Sequence, residues 1–387
     1  MSPFDTPVPV AADAFVSAFP PAAPEQRILA FGFSGSGGEY FRIWIVNLLL
    51  SVATLGIYSA WAKVRRLQYF DRNTTLGGAG FDFHGEPKPI LRGRILAVVL
   101  LAAYQYAFGF SLVFGMVVAG LLLAGLPFMM RGALRFRLGH TSWRGLRFQF
   151  TGSVPLAYVS YLAPIAVFLL PGVMVALLGQ TRWSLLPFAL YIAWPAMFCW
   201  MKRYQFGHVA YGDQPSSADL SLGEFFEIYV RGLWMAAIPI VLVAAAAWAS
   251  FSLFKSNPWL PARIIVPIFT ALVPLALVLL LYLLLGPYQQ VRVLNLCLRN
   301  TRFPGVRFVS MLSVRRFAWL HLKNLVFTLL TLGLYRPFAV VNVHKYRLAH
   351  MLLEVDEGFE RVLADVKPAG GAVGDGAADF LGVDLSW

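Results

Sequence analysis

The chain has 387 residues, of which 58% are hydrophobic and only 13% charged, and it carries a net charge of +13. A soluble globular chain carries about 25% charged residues, so this composition points to a multi-pass helical membrane protein and away from a water-soluble domain. Lipid offers no hydrogen-bond partners to a bare backbone, so the apolar runs are expected to be helices, and the alternating short segments of a transmembrane barrel are not seen. In a soluble chain the positive charge would suggest nucleic acid. Here 22 of the 32 Lys and Arg fall in four loops, 63–94, 131–153, 202–231 and 287–323, while the short turns on the other side hold only Arg182, Lys255 and Arg263. That asymmetry places the four basic loops in the cytoplasm and leaves membrane lipids, not nucleic acid, as the expected partner.

In chain order, residues 1–27 are rich in Pro and Ala and lack the basic start and apolar core of a signal peptide, so a disordered tail is expected. The first apolar run is 43–62. Others follow at 95–129, 154–177, 184–201, 233–254 and 262–285, with the last at 321–343. The 95–129 run is too long for one crossing of about 20 residues and is read as a tight hairpin turning near Phe108-Gly109. This gives eight crossings. Alternatively, breaks at Leu55-Gly56 and Leu332-Gly333 make the first and last runs dip into the membrane and return. From residue 352 the chain is acidic and then rich in Gly and Ala, read as a fraying helix and a disordered tail to Trp387.

Thr54-Leu55-Gly56-Ile57-Tyr58 returns as Thr331-Leu332-Gly333-Leu334-Tyr335, and the same offset carries Phe31 to Phe308, Asn47 to Asn324 and Tyr69 to Tyr346. A second signature sits in the basic loops. Thr74, Gly78 and Phe81 keep the spacing of Thr141, Gly145 and Phe148 and of Thr301, Gly305 and Phe308. Asn73, His140 and Asn300 precede the Thr, where they suit a helix C-terminus entering left-handed geometry. Alternating aromatics ending in Gly, as in Phe31-x-Phe33-x-Gly35, Phe81-x-Phe83-x-Gly85 and Phe148-x-Phe150-x-Gly152, suggest short strands leading into helices. The repeating unit is aromatic strand, apolar helix or hairpin, basic amphipathic helix and turn, in five head-to-tail copies over 28–351. The expected fold is therefore an all-α polytopic membrane protein with short aromatic strand turns on the cytoplasmic side.

Chemistry-bearing motifs are sparse. Gly35-Ser36-Gly37-Gly38 lacks the ending of a phosphate loop, and Cys199 and Cys297 show no metal or redox spacing. His140, His208 and His350 occupy the position held by Asn73 and Asn300, so capping is expected rather than metal binding; His84 and His344 have no partners at ligand spacing. His321, Lys323 and Arg336 sit at helix ends, where snorkelling is expected. Asn47 and Asn324 lie deeper and are repeat-equivalent. They either bond between helices, the favoured role, or line a polar path. No acid–base pair, nucleophile elbow or cofactor motif occurs, so neither enzymatic activity nor a cofactor is expected. Arg65, Arg66, Arg135, Arg137, Arg292 and Arg299 follow the apolar runs as topology anchors, and they are candidates to contact anionic lipid head groups.

At Phe31-x-Phe33-x-Gly35-x-Gly37-Gly38-Glu39-Tyr40-Phe41, Thr54 to Tyr58, Trp61-Ala62-Lys63-Val64-Arg65, Asn73-Thr74 and Phe81-x-Phe83-x-Gly85, the chain resembles the YjgN-like family of bacterial inner-membrane proteins. The resemblance covers about residues 28–350. It implies a polytopic inner-membrane protein of a Gram-negative-type cell and carries over no catalytic or binding residues. Two functional expectations follow: a pathway for a solute or lipid, or a scaffold that binds anionic lipid without transport.

Overall fold

The computed structural model of the protein describes residues 27–179, 182–256 and 260–356, so the expectations for residues 1–26 and 357–387 lie outside the described residues. The apolar stretches fold into helical hairpins, and runs 43–62, 95–129 and 321–343 each contain a turn. The first hairpin pairs α1 (Gly37–Ala53) with α2 (Ser59–Arg72), and the second pairs α3 (Pro87–Phe110) with α4 (Leu112–His140), turning at Ser111. In the third, α5 (Val154–Leu178) returns through a 3-10 segment, Arg182–Ala193, into α6 (Trp194–Phe206). The fourth is the longest, α7 (Leu222–Ser256) and α8 (Leu260–Arg299), and the fifth pairs α9 (Val314–Leu330) with α10 (Arg336–Ala349). Neighbours touch in chain order, α2 on α3, α4 on α5, α6 on α7 and α8 on α9, and α10 packs back on α1. The five hairpins therefore close a ring.

Among the described residues, five helices are long and apolar enough to cross a membrane by length and composition: Pro87–Phe110, Leu112–His140, Val154–Leu177, Leu222–Ala249 and Leu277–Arg299. The first and last runs do not make the single crossings that the count of eight assumed. Each breaks and turns back. Leu55 and Leu332 both adopt φ 50, with Gly56 and Gly333 at φ 90 and 93. Thr54 Oγ1 accepts from Tyr58 N at 2.9 Å, and Thr331 Oγ1 from Tyr335 N at the same distance. The tips are apolar, with Leu55 96% and Leu332 95% exposed. A loop in water would carry polar residues, so these two hairpins dip into lipid and return. An arm of 17 residues is about 25 Å long, short of the roughly 30 Å hydrocarbon core.

The fold is not all-α. Among the described residues, eleven antiparallel strands join the roots of the hairpins into one sheet. They are β1 (Arg27–Phe33), β2 (Thr74–Leu76), β3 (Ala79–Phe83), β4 (Thr141–Trp143), β5 (Leu146–Phe150), β6 (Val209–Tyr211), β7 (Gln214–Pro215), β8 (Ser217–Ala218), β9 (Thr301–Phe303), β10 (Val306–Ser310) and β11 (Met351–Val355). The spatial order runs β7 to β1 and then β11 to β8. Its two ends, β7 and β8, are separated in the chain by Ser216 alone, so the sheet curls into a near-barrel joined through that residue. The isolated strand turns expected from sequence pair between copies because each, at two to seven residues, leaves backbone groups that its own copy cannot satisfy. Likewise β11 replaces the helix expected after 352, pairing with both β1 and β10. The sheet also brings 63–94 and 287–323 to one end of the molecule, as the shared sidedness of the basic loops requires.

The five copies are legible in their hydrogen bonds. Ser34, His84, Thr151, Asp219 and Met311 donate their N–H groups to the carbonyls of Asn73, His140, His208, Asn300 and His350, at 2.8 to 3.1 Å. Those five residues turn their own side chains back on the helix. Asn73 Nδ2 donates to Tyr69 O at 2.8 Å and Asn300 Nδ2 to Leu296 O at 3.0 Å, while His140, His208 and His350 place Nδ1 2.7 to 3.1 Å from the carbonyl four residues earlier. The expected left-handed geometry is not there, since Asn73 has φ −89 and His350 φ −115. It falls instead in the strand turns, at Gly77-Gly78 and Arg144-Gly145, whose paired positive φ values suit two-residue hairpins.

The Phe-x-Gly ending has a packing cause. The ring of Phe33 lies where a Cβ on Gly35 would sit, 2.7 Å away, and Phe150 does the same 2.6 Å from Gly152. Phe83, fully buried, covers Gly85 in the same way. The aromatic strand is thus locked onto the start of the next helix.

Candidate cavity between the hairpins

Inside the ring of hairpins lies a cavity of about 880 Å³, walled by α1, α2, α3, α4, α8, α9 and α10. Its basic lining is Lys63, Arg66, Arg94, Arg137, Arg336 and Arg347; Asp71 is its one carboxylate among the described residues. On α2 the lining recurs at 63, 66, 67, 70 and 71, one face of a helix. On α10 it recurs at 336, 340, 343, 344 and 347 for the same reason. Arg94 reaches across from the second hairpin to donate to Ser59 Oγ near the tip of the first. Arg347 donates to Gln290 Oε1 at 3.3 Å and lies 5.6 Å over the Phe317 ring.

Asn47 and Asn324 face this cavity from equivalent positions on α1 and α9. Both are buried, at 7% and 6% exposure, and the Oδ1 of each accepts no hydrogen bond from the described residues. Asn324 Nδ2 donates to Ala339 O at 3.3 Å. A buried carbonyl oxygen without a donor costs roughly 1–3 kcal/mol, and the two stand at matched positions around one cavity, with the Asn324 amide bonded from α9 to α10.

A second cavity, of about 350 Å³, fills the near-barrel. Its wall is the inward row of the strands, including Phe31, Leu76, Phe81, Trp143, Phe308 and Leu353. The register is repeated: Phe31 opposes Leu76, Phe81 opposes Trp143, Phe148 opposes Tyr211 and Phe308 opposes Leu353. Asp71, Arg137 and His344 line both cavities and form the neck between them. This neck lies at the sheet-facing ends of the helices, outside the hydrocarbon. Burial raises the Asp71 carboxyl above its ordinary range, against the opposing pull of Arg137 and a 3.4 Å hydrogen bond from Thr141 Oγ1. Burial, with Arg347, Arg137 and Arg66 nearby, lowers the His344 imidazole to about 4. The ring stays neutral at physiological pH, with Nε2 3.2 Å from Thr74 Oγ1.

Comparison with known proteins sets this geometry in a family. Residues 28–380 match the family described as "Bacterial protein of unknown function (DUF898)". The chain belongs to this family. It is 36% identical over 132 residues to "Inner membrane protein YjgN" of Salmonella typhimurium, covering 33% of this chain and 32% of that protein. It is 32% identical over 146 residues to the protein of the same name from Escherichia coli K12, covering 35% of each. The chain thus aligns with about a third of the length of these relatives. No solved structure matches it. With these relatives and the apolar hairpins, the DUF898 chain is a multi-pass inner-membrane protein.

The arginines singled out from sequence divide in this DUF898 fold. Arg66 and Arg137 turn into the central cavity. Arg65 and Arg292 are exposed, Arg65 lying 5.7 Å over the Tyr58 ring. Arg299 is exposed and pairs with Glu224 at 2.9 Å, and Arg135 is half-buried on α4. Asn47 and Asn324 come together around one cavity. Sequence reasoning missed Asp71, Lys63, Arg94 and Arg347 as cavity residues and treated Arg336 and His344 as helix-end groups. The helical spacing of residues 63 to 71 and 336 to 347 was the available signal. Among the described residues no cluster of three or more His, Cys, Asp or Glu could hold a metal ion.

Proposed function

We propose that this protein is a non-enzymatic membrane pathway for an anionic solute or lipid head group, which passes through the central cavity. The observation that carries this reading is the imbalance, among the described residues, of six basic side chains to one carboxylate around a partly open space between membrane-embedded hairpins. Ionisable groups that face a cavity between membrane-embedded helices mark ion or substrate routes. An anion offsets the charge, and Asn47 and Asn324 add polar side chains to the lining. Anchoring to lipid from outside explains Arg65 and Arg292 but not Arg66 and Arg137, which face inward.

The test is flux in proteoliposomes. Fluorescent phosphatidylglycerol reports lipid movement, and radiolabelled glycerol 3-phosphate reports a soluble anion. Wild type is expected to move one of the two, Arg66→Gln with Arg137→Gln to slow it at least tenfold, and Asn47→Leu or Asn324→Leu to slow it less. Absence of flux for both probes under every gradient, with head-group binding retained, moves the protein to the non-transporting, lipid-binding class.

A further inference from the structure

We infer that the near-barrel is a binding site for the hydrocarbon chain of a single-chain anionic amphiphile, whose head group sits in the cationic cavity. This deepens the pathway reading and rests on it for the head group. The chain site has its own support. A ring of about eight strands is just wide enough for inward side chains to fill, and a wider ring leaves space. Here eleven strands leave about 350 Å³ unfilled, within the roughly 300–1,000 Å³ of small-molecule sites. The wall is mostly aromatic and aliphatic, interrupted by Thr74, Thr141, Gln214 and Thr301, and Leu29 and Val355 continue the apolar cluster beyond the cavity. Apolar cavities stay dry and take up hydrocarbon. The sheet lies on the cytoplasmic side, so its lumen is an apolar compartment outside the bilayer with its membrane-side neck at Asp71, Arg137 and His344.

Charge complementarity selects the ligand class. A neutral hydrocarbon uses the lumen but not Arg66, Arg137 and Arg347. A small inorganic anion uses the arginines but not the lumen. A fatty acid or single-chain phosphate ester uses both at once, with the acidic head on the membrane side of the neck and the tail along the barrel axis.

The experiment uses the full chain in phosphatidylcholine nanodiscs and stearate brominated at mid-chain, a quencher of nearby indoles. Trp143 lines the lumen, and Trp143→Phe keeps an aromatic ring beside Phe81 and Tyr211. The expected result is a quenched component in wild type that is missing from Trp143→Phe, with affinity rising about fourfold per methylene along a chain-length series until the lumen is full. Arg66→Gln with Arg137→Gln is expected to weaken this binding at least tenfold while still melting cooperatively. Pyrophosphate binding, measured separately, tests the head-group site. Pyrophosphate binding without quenching of Trp143 overturns the chain site and leaves the pathway reading standing. Loss of both overturns both. Quenching that is indifferent to the arginine variants overturns the placement of the head group.

Discussion

The first and fifth hairpins differ from the fourth in length, though all three grow from the same root. In the first and fifth, arms of 17 and 14 residues enclose the charged cavity and end at tips in the lipid. In the fourth, helices of 35 and 40 residues present apolar faces such as Val241, Leu275 and Val278 to lipid. The roots are built alike. Asp219 N donates to Asn300 O in the fourth hairpin as Ser34 N does to Asn73 O between the first copy's strand and its cap. The roots therefore hold the module together, and the membrane arms are free to vary in length and to carry function. The short arms wall one side of the cavity, and the sheet-side parts of α3, α4 and α8 complete it.

The sharpest way to break this division is to damage a root and a tip separately. Phe83 is fully buried between α2, α4 and the next helix, so Phe83→Ala is expected to cost about 3–5 kcal/mol. Leu55, at 96% exposure on a lipid-facing tip, has almost nothing to lose, and Leu55→Ala is expected within about 0.5 kcal/mol. Denaturation of the purified protein in one detergent compares the two. Equal losses would falsify the division into fixed root and free arm.

A smaller change at the root tests the Phe-on-Gly lock. A methyl group on Gly152 meets the Phe150 ring at 2.6 Å and the Tyr204 ring at 2.8 Å. Gly152→Ala is expected to cost about 1–3 kcal/mol by overpacking, while Gly125→Ala in a lipid-facing arm, with nothing within 4 Å, is expected to be neutral or stabilising. Helix capping comes next. Ser36 accepts from Glu39 N at 3.2 Å while Glu39 Oε2 accepts from Ser36 N at 3.2 Å, so Ser36→Ala is expected to cost about 1 kcal/mol. Unchanged melting in either variant removes that contact from the root.

What the sequence disclosed follows the same division. The hairpins, the five copies and the cap residues were legible because each rests on local signals: apolar run length, Gly breaks, and Thr and Phe spacing. The near-barrel was not, because its strands pair between copies separated by whole hairpins. Gln214-Pro215 and Ser217-Ala218, the two that bring the ends of the sheet together, also carry no strand pattern. The site was half legible. Asn47 and Asn324 stood out as polar residues in apolar runs. Arg65 and Arg66 are neighbours in sequence, yet one faces out and the other in, and only the packing of the surrounding hairpins decides which.

The neck responds to pH. His344 is lowered to about 4 from an ordinary value of 6.5, so the unfolded chain binds the proton more readily than the folded one. Its contribution is fully present above about pH 6.5 and is lost as pH falls through 6.5 toward 4. Asp71, raised by burial, works in the opposite direction over the carboxylate range. Melting temperature is expected to fall by a few degrees from pH 7 to pH 5 in wild type. The fall should be smaller in His344→Phe, which keeps the ring contacts at 4.9 Å with Phe33 and Phe70. An identical slope in the variant removes His344 as the cause.

The smallest expected effect separates outward from inward arginines. Arg299 and Glu224 form an exposed pair with side chains 68% and 39% accessible. Water and salt screen such a pair, which typically contributes about 0–1 kcal/mol. Arg299→Gln is expected to shift stability by less than about 0.5 kcal/mol at physiological salt and to leave pyrophosphate binding unchanged. Arg137→Gln removes the cation that favours the buried Asp71 carboxylate, so it costs more stability than Arg299→Gln, and pyrophosphate binding should weaken about tenfold. The two variants carry the same charge change. A difference between them in binding therefore measures where the charge points, and equal weakening by both would mean that the anion responds to the net field of the cytoplasmic face instead of to the cavity.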